Sequence, residues 1–269
     1  MNINQYLSQP FAIHGIVAAI LVAIACGLIA PFVMMRGLAF AVHGTSELAF
    51  TGAAAGLLTA QNPILGAYVG AVIVATLIGV FGNKEKERDS TIGVTLAFGL
   101  GVGVLLLSYY KGFASSATNI LFGNIFGVTN WQIWLLGAIT LLVILIMALI
   151  QRPLLFASVD PEVARAKGIK VKVLNFLFLY LLSLTVTSAA QVVGTLLVLS
   201  LTVTPAIAAR KISAKPVTVT IYSIIFALIS SVGGIFASLE SGNIRPSILV
   251  SGISFLIFLI CNALHSKQY

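Results

Sequence analysis

Long apolar runs alternate with short polar stretches along the whole chain. The runs are Phe11–Met35, Leu38–Ala60, Ile64–Gly82, Thr91–Tyr110, Trp131–Ile150, Val173–Ala190, Val192–Ala209, Val217–Leu239 and Pro246–Leu264. Most are about 20 residues long, the length an α-helix needs to cross ~30 Å of hydrocarbon at ~1.5 Å per residue. Charged or polar segments at Asn83–Ser90, Lys111–Asn130 and Gln151–Lys172 punctuate them. The pattern predicts an all-α fold: a polytopic transmembrane helical bundle of eight to nine spans, with residues 1–269 forming a single transmembrane domain. The choice between eight and nine turns on Gln191, a weak separator, and on the polar residues that interrupt the second run. The first run exceeds the ~7–15 residues of a signal-peptide core and follows no cationic segment, so it reads as a retained helix.

Composition sharpens this. Hydrophobic residues make up 59% of the chain and Asp, Glu, Lys and Arg only 8%, against about 25% charged residues in soluble domains. So few charges cannot cover a soluble surface, which excludes a soluble enzyme, a disordered protein and a nucleic-acid-binding domain. The net charge of +8 therefore reports topology. With nine spans, Arg36, Lys84, Lys86, Arg88, Arg152, Arg165, Lys167, Lys170, Lys172, Arg210, Lys211, Lys215 and Lys267 share one side, and only Lys111 and Arg245 fall on the other. Cytoplasmic loops concentrate Lys and Arg, so the N-terminus is expected outside and the C-terminus inside. Eight spans break that parity unless one hydrophobic segment is re-entrant. Cys26 and Cys261 sit within apolar runs and read as small core hydrophobes. Gly66, Gly70, Gly79, Gly93, Gly99, Gly101 and Gly103 lie within spans, where small residues let helices approach closely. The hydroxyls of Thr185, Thr187, Ser188, Thr202 and Thr204 are expected to bond back to their own helices.

An ionisable group in mid-span costs about 3 kcal/mol or more. One pair lies clearly inside a span, His43 and Glu47, at i and i+4 on one helix face. Glu47 is about 16 Å along the helix from Arg36, near the middle of the hydrocarbon. An imidazole nitrogen and a carboxylate oxygen suit zinc, manganese or ferrous iron. One helix supplies only two ligands, and a two-fold partner would complete a four-ligand site. A hydrogen-bonded pair that fixes helix packing, or a proton relay, fits the same residues. His14 and His265 lie near span ends and are weaker candidates.

Ser158–Val171 is the second informative segment. Asp160 is a helix N-cap, Pro161 the first helical position and Glu162 part of the first turn. Arg165 and Lys167 occupy the last turn, and Gly168 is the stop. The spacing predicts a short cytoplasmic helix at about 159–169, either a solvated interfacial helix or a docking knob for a cytoplasmic partner. The sequence holds no GxxxxGK[ST], HExxH or GxSxG, so no P-loop, zinc protease or serine hydrolase motif is present.

Several of these segments together resemble the permease subunit of bacterial ATP-binding-cassette (ABC) importers for zinc, manganese and iron. Arg36–Gly52 is similar to that family's RRxxLxGDAxSHAxLPG stretch, and Asp89-Ser-Thr-Ile-Gly93 to its EDTAIG element. Asn119–Val128 is similar to FLFGNILGVS, Asp160–Gly168 to DPExARxxG, and Gln191–Ala206 to QxVGxxLVxALLxxPAA. The resemblance implies a type II-like ABC importer permease in the bacterial cytoplasmic membrane, with no enzymatic activity of its own. Its implied partners are cytoplasmic ATPase subunits, an extracytoplasmic metal-binding protein, a second permease copy and membrane lipid, and no nucleic acid. The cargo is a divalent metal, zinc first and manganese or iron next, with no permanently bound cofactor. His43 and Glu47 become the metal ligands, in swapped order: the family's Asp falls on His43 and its His on Glu47, while Thr51 replaces its Pro. Asp160, Pro161, Glu162, Arg165 and Gly168 become the helix coupled to the ATPase. The competing expectations are an ion-coupled secondary metal transporter that needs no ATPase, and an ABC permease for a metal chelate.

Overall fold

The structure, a computed structural model, describes residues 9–60, 62–81, 85–110, 123–241 and 244–266. Lys84, Lys111, Lys267 and most of the expected Lys111–Asn130 stretch, including Asn119–Phe122, lie outside the described residues. The helices are α1 (Pro10–Met35), α2 (Ala39–Ala60), α3 (Pro63–Phe81), α4 (Glu85–Tyr109), α5 (Asn130–Val159), α6 (Pro161–Ala166), α7 (Val171–Val193), α8 (Val198–Thr202), α9 (Thr204–Ile212), α10 (Pro216–Ser241) and α11 (Pro246–Ser266). Single 3₁₀ turns occupy Ile125–Gly127 and Thr195–Leu197. No strand occurs among the described residues.

Seven of these helices, α1, α3, α4, α5, α7, α10 and α11, are long and apolar enough to cross a membrane. Helix α2 has the length, 22 residues, but His43, Ser46 and Glu47 dilute its hydrophobicity. The run expected to be one span over Val192–Ala209 is not one helix. Gly194 takes φ 103°, a backbone conformation open to glycine, and ends α7. The chain then continues as a 3₁₀ turn, α8 and α9. Pro205 stands at the start of α9, where its missing N–H costs nothing. The break therefore sits at Gly194, three residues beyond the separator expected at Gln191. The pieces lie in the protein interior, with Val198, Leu201, Ala206, Ala208 and Ala209 all fully buried. Irregular backbone at such depth is tolerated only where protein, not lipid, surrounds it.

Side-chain contacts set the directions. Tyr68 bonds Ser188, Thr76 bonds Tyr180, and Gly79 abuts Phe176, so α3 and α7 are antiparallel. Gly52 and Gly56 meet Gly66 and Gly70, which makes α2 and α3 a tight antiparallel hairpin. Thr51 Oγ1 donates to the Gly99 carbonyl at 2.7 Å, Gly44 faces Ile92 and Gly99 faces Leu48, so α2 and α4 run parallel. Ser231 Oγ reaches the Ala19 carbonyl and Gly27 faces Ile224, setting α10 antiparallel to α1. Arg36, at the end of α1, hydrogen-bonds Asn175 near the start of α7 and stacks over Phe178.

These contacts gather the end of α1, the starts of α2, α4, α7 and α10, and helix α6 at one end of the bundle. That end carries Arg36, Arg165, Lys167, Lys170, Lys172, Arg210, Lys211 and Lys215. Arg245 lies at the opposite end, before α11. The segmented 195–212 stretch runs from one end to the other, so the charge bias is kept although seven helices, rather than the expected eight to nine, are long and apolar enough to cross. Helices α1 and α7 form the buried axis, with 67% and 72% of their apolar windows inside the bundle. The outer faces of α4 and α11 are mostly exposed and bear Val94, Phe98, Val104, Leu256 and Ile260. Exposed apolar surface of this extent marks a lipid or partner contact.

Candidate functional site

Helix α2 threads between α3, α4, α7 and the broken 195–212 segment, and this burial decides the state of its polar residues. Thr45 and Ser46 are fully buried and Glu47 is 6% exposed. The His43 ring is half-buried. Its Nδ1 atom is sealed from solvent without a hydrogen-bond partner. Glu47 lies within electrostatic reach of His43. A buried nitrogen without a partner is unusual, because buried polar groups are normally partnered. Among the described residues no cluster of three or more His, Cys, Asp and Glu occurs. One copy of the chain therefore brings only two such groups together, His43 and Glu47.

The side chains next to the pair tie α2 to the broken segment. Ser46 Oγ donates to the His43 carbonyl at 2.8 Å and lies 3.4 Å from the Thr195 carbonyl. Along α2 the pair stands between two hollows. Toward the outer end, a cavity of about 260 Å³ is walled by Ala49, Ala53 and Leu57 of α2, Pro63, Ile64 and Ala67 of α3, Thr187 and Gln191 of α7, and by Asn124, Gln132 and Thr195. Toward the basic end, a groove of about 420 Å³ borders Ala39 of α2, Leu197, Leu199, Ser200, Val203 and Thr204, and Ser251 and Phe255 of α11. His43 is one turn from Ala39 and Glu47 half a turn from Ala49.

Residue-level reasoning on the sequence missed the outer cavity. It assigned the hydroxyls of Thr185, Thr187, Ser188 and Thr202 to their own helices. Ser188 does bond the Leu184 carbonyl, and Thr202 that of Val198. Thr185 Oγ1 and Thr187 Oγ1 are instead buried with no partner, as is Gln191 Nε2. The available signal was Gln191 itself, a large amide between two apolar runs. His14 and His265 stand on α1 and α11, and neither falls beside the His43–Glu47 pair.

At the basic end, Asp160 accepts hydrogen bonds from the backbone N–H groups of Glu162 (3.1 Å) and Val163 (3.0 Å) and caps α6. Pro161 occupies the first turn. Gly168 takes φ 82° and closes the helix, with Ile169 N–H bonding the Ala164 carbonyl. The helix proper spans Pro161–Ala166, inside the expected 159–169, because the caps themselves occupy the flanks. Ala164 is fully buried against Ala157 and Val171. Pro161, Glu162, Val163, Arg165 and Ala166 are left exposed. Six residues could not hold a helix alone; the Asp160 cap and the Ala164 anchor make this one a fixed projection.

Comparison with known proteins places this geometry in a family. The sequence model of the ABC 3 transport family matches residues 8–264. The manganese transport system membrane protein MntC of Halalkalibacterium halodurans is 33% identical over 236 residues, covering 87% of this chain and 81% of that protein. The manganese import system permease protein ScaB of Streptococcus parasanguinis is 30% identical over 259 residues, 96% of this chain and 92% of its own. Among solved structures, PsaBC from Streptococcus pneumoniae in complex with Fab superposes with a TM-score of 0.86 at 26% identity, covering 97% of this chain and 95% of that one. An inward-facing putative metal-chelate type ABC transporter shares the fold, with a TM-score of 0.70 at 17% identity.

Proposed function

The chain belongs to the ABC 3 transport family, and from that premise we propose how this permease subunit of a metal importer moves its cargo. It is a multi-pass protein of the cytoplasmic membrane. The cargo is a first-row divalent cation, manganese first: the manganese importers MntC and ScaB are its relatives. Zinc is the runner-up, because an imidazole ligand favours it. Two copies face each other so that each contributes His43 and Glu47. The resulting two nitrogens and two carboxylates hold the ion, and water completes the shell when the ion is manganese. The single observation that carries this reading is His43, its Nδ1 buried without a partner, one turn from Glu47 on α2 between an outer cavity and an inner groove.

An ion held there faces the outer cavity in one conformation and the inner groove in another. The energy comes from separate ATPase subunits, which grip the exposed Glu162–Arg165 face of α6. Because α6 is anchored through Ala164 to α5 and α7, a push on it displaces two long helices together. An extracytoplasmic binding protein delivers the ion to the opposite end.

The test is uptake of radioactive manganese by cells or proteoliposomes carrying the whole transporter. Glu47→Gln keeps size and removes the charge, and uptake should fall at least 100-fold while the ATPase still co-purifies. Uptake by Glu47→Gln at the wild-type rate overturns the site. Transport by the isolated chain down a proton gradient would overturn the ATPase-driven reading.

A further inference from the structure

Two stretches rich in Lys and Arg stand at the basic end, and they differ in their counter-charges. The connection from α5 to α7 holds Asp160 and Glu162 among its cations. Arg210, Lys211 and Lys215, where α9 leads into α10, have no such company, because the chain contains no Asp or Glu from Val163 to Leu239. Helices α9 and α10 pack chiefly on each other and on α1, α8 and α11, and none of those three contains a carboxylate side chain. Arg210 and Lys215 are exposed and Lys211 is half-buried. From this corner α10 presents one apolar stripe. Val217, Ile221, Ile225 and Ile229 follow each other at i+4 on one helix face and are 41% to 68% exposed. Tyr222 and Phe226 stack beside the stripe with ring centroids 6.0 Å apart. The stripe ends one step further on, where Gly233 approaches Ile253 of α11. From Val217 to Ile229 is ~18 Å at ~1.5 Å per residue, close to the ~15 Å of hydrocarbon in one leaflet.

We propose that this face docks an anionic phospholipid of the cytoplasmic leaflet, its phosphodiester on Arg210, Lys211 and Lys215 and an acyl chain along the Val217–Ile229 stripe. The proposal stands apart from the metal pathway. Charge complementarity selects the occupant. Three cations without carboxylates beside them attract an anionic headgroup, and a guanidinium can hold a phosphate through two hydrogen bonds. The cytoplasmic leaflet is the one that carries anionic lipid. A zwitterionic headgroup brings its own cation to the same corner and gains less. A second copy of the chain does not fit, because a two-fold interface centred here sets each patch against its own image and so brings like charges together. Cytoplasmic placement of Lys and Arg is general in membrane proteins. What is particular here is a carboxylate-free cluster at the foot of an exposed stripe one leaflet long.

The experiment uses the complete transporter with its ATPase subunits, reconstituted in phosphatidylcholine vesicles. Trp131→Phe and Trp134→Phe remove both tryptophans of this chain, and Ile225→Trp places a reporter on the stripe; the reporter-free transporter supplies the background. Lipids with brominated acyl chains quench tryptophan on contact, so brominated phosphatidylglycerol measured against brominated phosphatidylcholine gives the local preference. One Lys or Arg near an anionic lipid contributes about five-fold. The unaltered cluster should therefore favour phosphatidylglycerol at least ten-fold. Lys215→Gln should lower that preference about five-fold, and Arg210→Gln with Lys211→Gln and Lys215→Gln should bring it within two-fold of unity. A second arm needs no charge variant: raising salt from about 0.1 M to about 1 M, which shortens the screening length from ~10 Å to ~3 Å, should lower the preference of the unaltered cluster. A reporter at Leu145→Trp, on the exposed face of α5, should register a weaker preference. No preference at Ile225→Trp, a preference that survives the triple variant or high salt, or an equal preference at Leu145→Trp overturns the site. Loss of the preference to inorganic phosphate, but not to chloride of the same ionic strength, would make this a site for soluble phosphate and overturn the lipid assignment.

Discussion

Replacing Gly66 by alanine attacks a close backbone contact between α2 and α3. A Cβ on Gly66 would fall on the carbonyl oxygen of Gly52 and lie 2.7 Å from the Cα of Gly56. Carbon pairs settle at about 3.5–4.0 Å. Both obstacles are backbone, so no side-chain rotation relieves them, and α2 and α3 must part by roughly 1 Å. Overpacking of this kind costs about 1–3 kcal/mol. The intrinsic helix preference for alanine over glycine returns at most about 1 kcal/mol, so the net effect is destabilising. It also reaches the site, because Glu47 is five residues from Gly52 on the helix that must move. The contrast is Gly101→Ala on α4, where a Cβ meets nothing within 4 Å; there only the propensity gain of up to ~1 kcal/mol remains. Thermal unfolding of the purified transporter in detergent separates the two, at about 2–4 °C per kcal/mol. The Gly66→Ala midpoint should drop by several degrees and manganese uptake should fall with it, while Gly101→Ala holds both. A Gly66→Ala protein that melts at or above wild type with normal uptake would refute the close-packed α2–α3 hairpin and the placement of Glu47 that depends on it.

Three further outcomes follow from the same geometry. Asp160→Ala removes the only side-chain cap of α6 and should cost about 1 kcal/mol locally; co-purification of the ATPase subunit should weaken while manganese binding to the permease is unchanged, and an unaltered ATPase ratio would contradict the docking role. Tyr68 and Ser188 share a buried 3.0 Å hydrogen bond between α3 and α7; a double-mutant cycle of Tyr68→Phe with Ser188→Ala, read by thermal unfolding, should give a coupling of about 1 kcal/mol, and zero coupling would mean the bond is not formed. His43→Ala should lower uptake at least ten-fold and weaken manganese binding, whereas His14→Ala should leave both within two-fold; equal effects at the two histidines would remove the special status of His43.

Much of this protein was legible in its residues. Hydrocarbon demands about 20 apolar residues per crossing, so the spans were marked by length and by the charges between them. The cost of burying His43 and Glu47 in mid-span identified the pair without coordinates, and Asp160, Pro161 and Gly168 spelled out α6 because caps are local interactions. Three features were decided only when the helices packed. The run at 192–209 is as apolar as a span, but Gly194 and Pro205 break it where surrounding helices, not lipid, cover the exposed backbone. Thr185 and Thr187 could have bonded their own helix like Ser188, and in the packed bundle they do not. The unpartnered state of His43 Nδ1, and the place of the His43–Glu47 pair between two hollows, is a relation between α2 and residues up to more than 200 positions away in the chain. Hydrophobic length and capping act within one helix and are written along the chain; an empty space is defined by every helix that borders it.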